Sequence, residues 1–174
     1  MMPRTAGVLH PVALAITFLI TQAAPANATR SSSNATSQEV IKQIVREEAE
    51  ALGVDAALAL AVAHAESNFN PRAESQAGAR GVMQLMPAVA EDLFDLPDHA
   101  LWQPRTNIRA GLQFLKGLLD RYRGRIAFAL SYYNGGTKVG PPSRARIIPT
   151  TQPYVAKVLQ LRQHYAGAFP VSLD

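Results

Sequence analysis

Apolar positions recur at helical spacing along most of the chain, and no stretch of six or more residues alternates cleanly between apolar and polar. The pattern predicts a mainly α, single-domain fold without a substantial sheet. Five helical stretches stand out. Thr36 and Glu39 form a capping box; behind it Ile41, Ile44, Val45 and Leu52 keep one period until Gly53 stops the helix. Asp55 can cap a second helix that runs to about Phe69 and ends at Asn70-Pro71. Pro104 opens a third, with Ile108, Leu112, Leu115, Leu119 and Tyr122 on one stripe and Gly124 closing it. Residues 125–133 form a short apolar helix stopped by Gly135-Gly136. Pro153 opens the last helix, with Tyr154, Val158, Leu161 and Tyr165 on one face, and Pro87 can open a further one. The linkers that stand out are residues 71–81 and 135–149, and no internal repeat is present.

The N-terminus departs from this pattern. Arg4 precedes an unbroken non-ionic run at residues 12–20, far short of the roughly 20 residues that span a bilayer. Ala26 and Ala28 then make the small-x-small pattern of a cleavage site. Residues 1–28 therefore read as an export signal, with an uncleaved anchor or a mitochondrial presequence as the alternatives. Residues 29–37 read as a polar, disordered lead-in, residues 38–166 as the folded domain and residues 167–174 as a tail. No other segment is long and apolar enough to span a membrane, so the expected product is an exported periplasmic protein without a membrane anchor.

Composition narrows the chemistry. A length of 174 residues with 48% apolar and 17% charged residues suits one domain with a core. The absence of cysteine excludes a disulfide scaffold, a thiolate zinc site, a cysteine nucleophile and a lipid-modified N-terminal cysteine. Net charge is +4 and unevenly placed: residues 121–173 hold eight basic residues and no acid. That asymmetry is either a solvated surface or an attraction to a polyanion or a carboxylate-bearing polymer. A nucleic-acid partner is not expected, because only 7% of residues are aromatic and no binding motif occurs.

One carboxylate is out of place. Leu58, Val62 and Glu66 are spaced by four and share a helix face beside Ala59 and Ala63, in a stretch that is almost wholly small and apolar. Desolvation there disfavours the charged form, so the pKa of Glu66 should rise. A carboxylic acid kept protonated near neutral pH is what general-acid chemistry at a glycosidic oxygen requires. Taken alone, one glutamate on one helix fits a buried acid paired with an arginine such as Arg80 or Arg109 better than a catalytic group, since structural ion pairs also perturb such groups. His64 lies on another face, no His-Glu-x-x-His occurs, Ser67 is not in a nucleophile elbow, and no metal or cofactor site is expected. Two further segments bear on the choice. Residues 78–87 combine two glycines with an apolar wall of Met83, Leu85 and Met86 around a polar Gln84. Residues 129–136 end a helix with Tyr132, Tyr133 and Asn134 before a glycine turn, and tyrosine rings stack well on sugars.

In this order the three segments resemble the lytic transglycosylases of glycoside hydrolase family 23. Glu66-Ser67 resembles the family's ES motif, Gly81-Val82-Met83-Gln84-Leu85-Met86-Pro87 its GLMQLMP motif, and Tyr133-Asn134-Gly135-Gly136 its AYNAG motif, with Tyr132 and Gly135 where alanines are usual. Asn107-Ile108 with Gly111 resembles the N-I-x-x-G segment, and Ile148-Pro149 to Tyr154-Val155 the late I-P…E-T-x-x-Y-V segment, with Thr150 at its acidic position. The resemblance implies a lysozyme-like helical domain with a substrate cleft, peptidoglycan glycan strands as partner, and cleavage of the β-1,4 bond after N-acetylmuramic acid to leave a 1,6-anhydro end. It implies Glu66 as the catalytic acid and base, Tyr133 orienting its carboxyl, Ser67 and Gln84 contacting sugar, Met83 lining the cleft, Asn134 holding loop or substrate, and Tyr154 as a further cleft residue. Similar small members open local gaps in the wall, which makes a secretion or conjugation machine an expected partner. The competing readings are a lysozyme-type hydrolase that draws a second carboxylate from Glu74, Asp92 or Asp95, and a non-catalytic wall-binding module.

Overall fold

The computed structural model describes residues 28–167 by backbone and residues 37–167 by side chain. It contains α1 (Ala28–Leu52), α2 (Ala56–Ser67), α3 (Pro87–Phe94), α4 (Pro104–Arg121), α5 (Ile126–Gly135) and α6 (Gln152–Gly167). Short 3-10 turns occupy Asp98–Trp102, Gly136–Val139 and Pro149–Thr151. Among the described residues there is no strand, only isolated bridges joining Glu74 to Arg80 and Arg80 to Leu85. The expected mainly α architecture is the observed one.

The architecture is organised around α2. Its sequence, AALALAVAHAES, is apolar on every side, and a helix of that kind must be buried all round. Leu58 through Ala63 are at most 1% exposed, with α6 packed along one flank and α1 along another. Asp55 caps the start, its Oδ1 accepting from the Leu58 N–H at 3.0 Å, as its position predicts. The end comes two residues before Phe69. Asn68 adopts the left-handed conformation (φ 51°) and its N–H caps the carbonyls of Ala63 and His64.

Helix α4 buries Ile108, Leu112 and Leu115 of the expected stripe, with Tyr122 at the cap, but in its last turn Leu118 is the buried residue and Leu119 is only half-buried. Gly124, at φ 74°, donates to the Leu119 carbonyl and turns the chain. Glu48, 2% exposed, joins α1 to α4 by accepting from Arg105 Nη1 and Arg109 Nε, each at 2.7 Å. The paired guanidinium charges offset its desolvation and hold its carboxyl below the usual range.

The chain start differs from expectation. Helix α1 runs without interruption from Ala28, so residues 29–37 extend it and Thr36 lies inside it, not at a cap. Once the apolar turns around Ile41 and Val45 exist, adding polar residues to a helix end costs far less than starting a new helix. The signal segment, apart from Ala28, and the tail beyond Gly167 lie outside the described residues.

Candidate active site around Glu66

The last turn of α2 delivers Glu66 to the junction of α2, α5 and α6. Only 6% of the residue is exposed. The Tyr154 hydroxyl, from the first turns of α6, donates to Glu66 Oε1 at 2.6 Å. Lys157, one turn further along α6, reaches past and donates to the Ala65 carbonyl at 3.1 Å. Burial lifts the Glu66 pKa from 4.5 to about 7 against the opposing pull of the Tyr154 hydrogen bond and the Lys157 charge. Desolvation wins because one phenol and one mostly exposed ammonium replace little of the lost hydration. The group is therefore divided between acid and carboxylate near neutral pH, as its apolar helix face predicts.

The arginine pairing that position 66 also allowed does not occur. Arg109 is committed to Glu48, and Arg80 to Glu74 and Asp98. Arg80 also lies over the Trp102 ring. None of the three acids offered as a second carboxylate sits with Glu66: Glu74 is held by Arg80, and Asp92 and Asp95 are exposed on and after α3.

Tyr133 corrects an expectation. Its hydroxyl donates to the Met83 carbonyl at 2.8 Å and not to Glu66. It lies near enough for the Glu66 charge to add to burial in pushing its own pKa well up. The orienting hydrogen bond comes instead from Tyr154, 88 residues away in sequence. Burial, above all, and then the Glu66 charge hold the Tyr154 phenol well above its ordinary range, so it stays a donor at any pH of interest.

The remaining candidates form the wall behind this pair. Ser67 Oγ donates to the Val82 carbonyl at 2.8 Å, pinning the 78–87 loop to α2. Gln84 sits at φ 47° and its amide nitrogen donates to the carbonyls of Ala73 and Gly81, both at 3.0 Å. Met83 is fully buried against Gly111, where an added Cβ would lie 2.4 Å from the Met83 Cβ. In this arrangement Ser67 and Gln84 spend donors on backbone, and Met83 packs inward, away from solvent. Asn134 is half-buried near the end of α5.

Sequence reasoning gave Asn107 no role, yet it locks this wall. It is fully buried, its Oδ1 accepts from the Met83 N–H at 2.8 Å and its Nδ2 donates to the Arg80 carbonyl at 2.9 Å. The available signal was an amide embedded in the buried stripe of α4 beside Ile108. The departures from the family pattern also have reasons. A Cβ at Gly135 would lie 2.7 Å from both Ile148 Cδ1 and Thr151 Cγ2, so glycine lets the 140s loop close onto α5. Tyr132 fills a small satellite core with Tyr122 and Val139. Thr150 is exposed, whereas the next residue, Thr151, is buried and hydrogen-bonded to Ser131 at 2.7 Å.

A helical fold with one buried glutamate at the end of its central helix defines a lysozyme-like class of domain. Within that class, residues 43–140 match the model of the transglycosylase SLT domain, and the chain belongs to this family. Curated relatives include the soluble lytic murein transglycosylase of Salmonella typhimurium, 36% identical over 95 residues that make up 51% of this chain and 14% of that protein. The transglycosylase of Enterobacteria phage PRD1 is 38% identical over 107 residues, 62% of this chain and 37% of the phage protein. Among solved structures, the lytic transglycosylase Slt of Pseudomonas aeruginosa, crystallised as an inactive glutamate-to-glutamine variant, superposes with a TM-score of 0.62 at 26% identity, covering 73% of this chain and 24% of that one. The 70 kDa soluble lytic transglycosylase of Escherichia coli gives 0.57 at 29% identity, covering 66% and 22%. The chain thus spans well under half the length of these relatives.

Proposed function

We propose that this chain is a peptidoglycan lytic transglycosylase in which Glu66 acts first as acid and then as base. The observation that carries the reading is a single desolvated carboxyl with a pKa of about 7, held by one tyrosine. Protonated Glu66 gives its proton to the O4 leaving oxygen as the C1–O4 bond between N-acetylmuramic acid and N-acetylglucosamine breaks. The sugar's own C6 hydroxyl attacks C1 and returns its proton to Glu66, closing the 1,6-anhydro ring without water. Intramolecular attack supplies proximity that a second carboxylate would otherwise have to supply through a bound water. Ser67, Met83, Gln84, Tyr133 and Asn134 act in this scheme chiefly by shaping the wall that glycan meets. Periplasmic action after signal cleavage, opening the wall locally for a secretion or conjugation apparatus, completes the reading; a deletion strain that secretes and conjugates normally would count against that role.

Mass analysis of digested sacculi tests the reaction. Muropeptide ends lighter by one water are expected throughout; free reducing ends would assign the hydrolase instead, and intact sacculi the binding module.

Tyr154→Phe tests the pair. The hydroxyl stabilises the ionised carboxyl, so its loss should move the Glu66 pKa further up. The acid is active when protonated, so the alkaline limb of the rate profile should move to higher pH. Loss of orientation should lower the maximal rate about tenfold. An unmoved limb would mean that another group sets it.

A further inference from the structure

Cationic side chains collect at one end of the molecule, and their acidic partners do not. Arg121, Arg123, Arg125, Lys138, Arg144 and Arg146 are all exposed. None forms an ion pair with a described acid; the nearest acid in sequence, Asp120, is taken by Lys116. The other cations of this half are engaged elsewhere, Arg162 with Asp55 and Lys157 with a backbone carbonyl.

The six belong to one surface because the chain folds back on itself. Tyr122 donates to the Gly140 carbonyl at 2.8 Å, and Arg125 Nη2 to the Pro142 carbonyl at 2.6 Å. The Arg146 N–H closes the loop onto the Val139 carbonyl at 2.9 Å. The turn at residues 122–125 and the loop at residues 138–146 are thereby clamped together over the small core of Leu118, Tyr122, Ala129, Tyr132 and Val139. Arg121 lies over the rings of Tyr122 and Tyr132, and Arg125 over Phe128. Arg125 spends Nε and Nη2 on the carbonyls of Tyr122 and Pro142 and keeps Nη1, whereas a guanidinium held over a ring, as that of Arg121 is, still has N–H groups at its edge for a carboxylate.

The lobe also connects to the reaction centre. Ile148 N–H donates to Ser131 Oγ, which shares a hydrogen bond with Thr151 at the entry to α6. Helix α6 then presents Tyr154 to Glu66.

We infer that this basic lobe is a docking surface for the carboxylates of the stem peptides of peptidoglycan, placed to hold the polymer while a glycan strand is cut. The inference rests on the substrate reading above. A bilayer fits less well: the exposed large apolar residues among those described are Val40 and Leu93, neither on the lobe, so nothing there would insert. Nucleic acid fits less well too, because the arginines cover the rings that would stack on bases.

The experiment is retention on purified sacculi by the Glu66→Gln protein, so that nothing is cut during binding. It is compared with the same protein carrying Arg123→Gln, Lys138→Gln, Arg144→Gln and Arg146→Gln, exposed positions whose side chains make no described hydrogen bond. Native sacculi and sacculi with amidated carboxyl groups are each titrated with salt, which screens exposed charges over about 10 Å. Retention on native sacculi should fall at least about tenfold in the quadruple variant. Amidation should weaken the parent to the same level and flatten its salt dependence. Equal retention by both proteins, indifference to amidation, or tighter binding of the parent to anionic phospholipid vesicles or duplex DNA would overturn the inference. With Glu66 restored, the quadruple variant should cut peptide-free glycan strands as fast as the parent. If neither protein cuts them, the catalytic reading fails while the retention result still decides the docking surface.

Discussion

Glu66→Gln should abolish wall lysis, about 10²–10⁴-fold from the lost proton transfer alone, and at the same time make the folded protein more stable at alkaline pH. The two effects share one cause. Glutamine keeps the shape and can still accept the Tyr154 hydroxyl, so the 2.6 Å contact has a successor. It has no proton to give to a leaving oxygen. The stability effect follows from linkage. The folded pKa of about 7 lies above the ordinary 4.5, so the folded state holds on to a proton that the unfolded chain releases. The parent is unpenalised below about pH 4.5, loses stability as pH rises between the two values, and carries the full penalty above the folded pKa. A displacement of that size corresponds to about 3 kcal/mol. Urea unfolding should therefore place the variant about 3 kcal/mol above the parent near pH 8.5 and level with it near pH 4. Lysis that survives the change would remove Glu66 from the mechanism. Equal stability at both pH values would show that its surroundings are not desolvating.

Position 66 was legible in the sequence because burial is written in local spacing. A carboxylate four residues from Val62 and eight from Leu58 must share their face, and an all-apolar helix must be central. The end of α2 was less legible, since Asn68 competes with the helix by supplying a left-handed cap. What local spacing cannot supply is the partner. Tyr154 and Tyr133 are both tyrosines on apolar faces, and nothing along the chain says which one reaches Glu66. The answer lies in where α6 crosses α2, and that depends on the 140s loop closing over Gly135. Ser67 and Gln84 were read outward, toward substrate. The structure turns their donors inward because the 78–87 loop has little regular structure to satisfy its own carbonyls, and buried carbonyls must find partners. The same need explains Asn107, whose role is set by a loop more than twenty residues upstream.

That dependence makes the wall fragile, and Asn107→Ala should be the most destabilising conservative truncation in the domain. It strands the N–H of the fully buried Met83 and takes the Nδ2 donor from the Arg80 carbonyl, which keeps the Leu85 N–H at 3.1 Å. The stranded N–H costs about 1–3 kcal/mol and the lost second bond to the carbonyl about 1 kcal/mol, so a loss of roughly 2–4 kcal/mol is expected in urea unfolding. Gly81→Ala attacks the same contact from the other side. Gly81 holds φ 74°, and a Cβ there would lie 2.5 Å from Asn107 Nδ2 and 2.7 Å from the Leu101 carbonyl oxygen. Strain at the left-handed backbone and a clash with main chain remain whatever occupies position 107, but the clash with Asn107 disappears once its amide is gone. The two losses should therefore be less than additive, by about 1 kcal/mol or more in a double-mutant cycle. Strict additivity would mean that the loop can move away from Asn107 without loss, and that the wall behind Glu66 is held by something other than this amide.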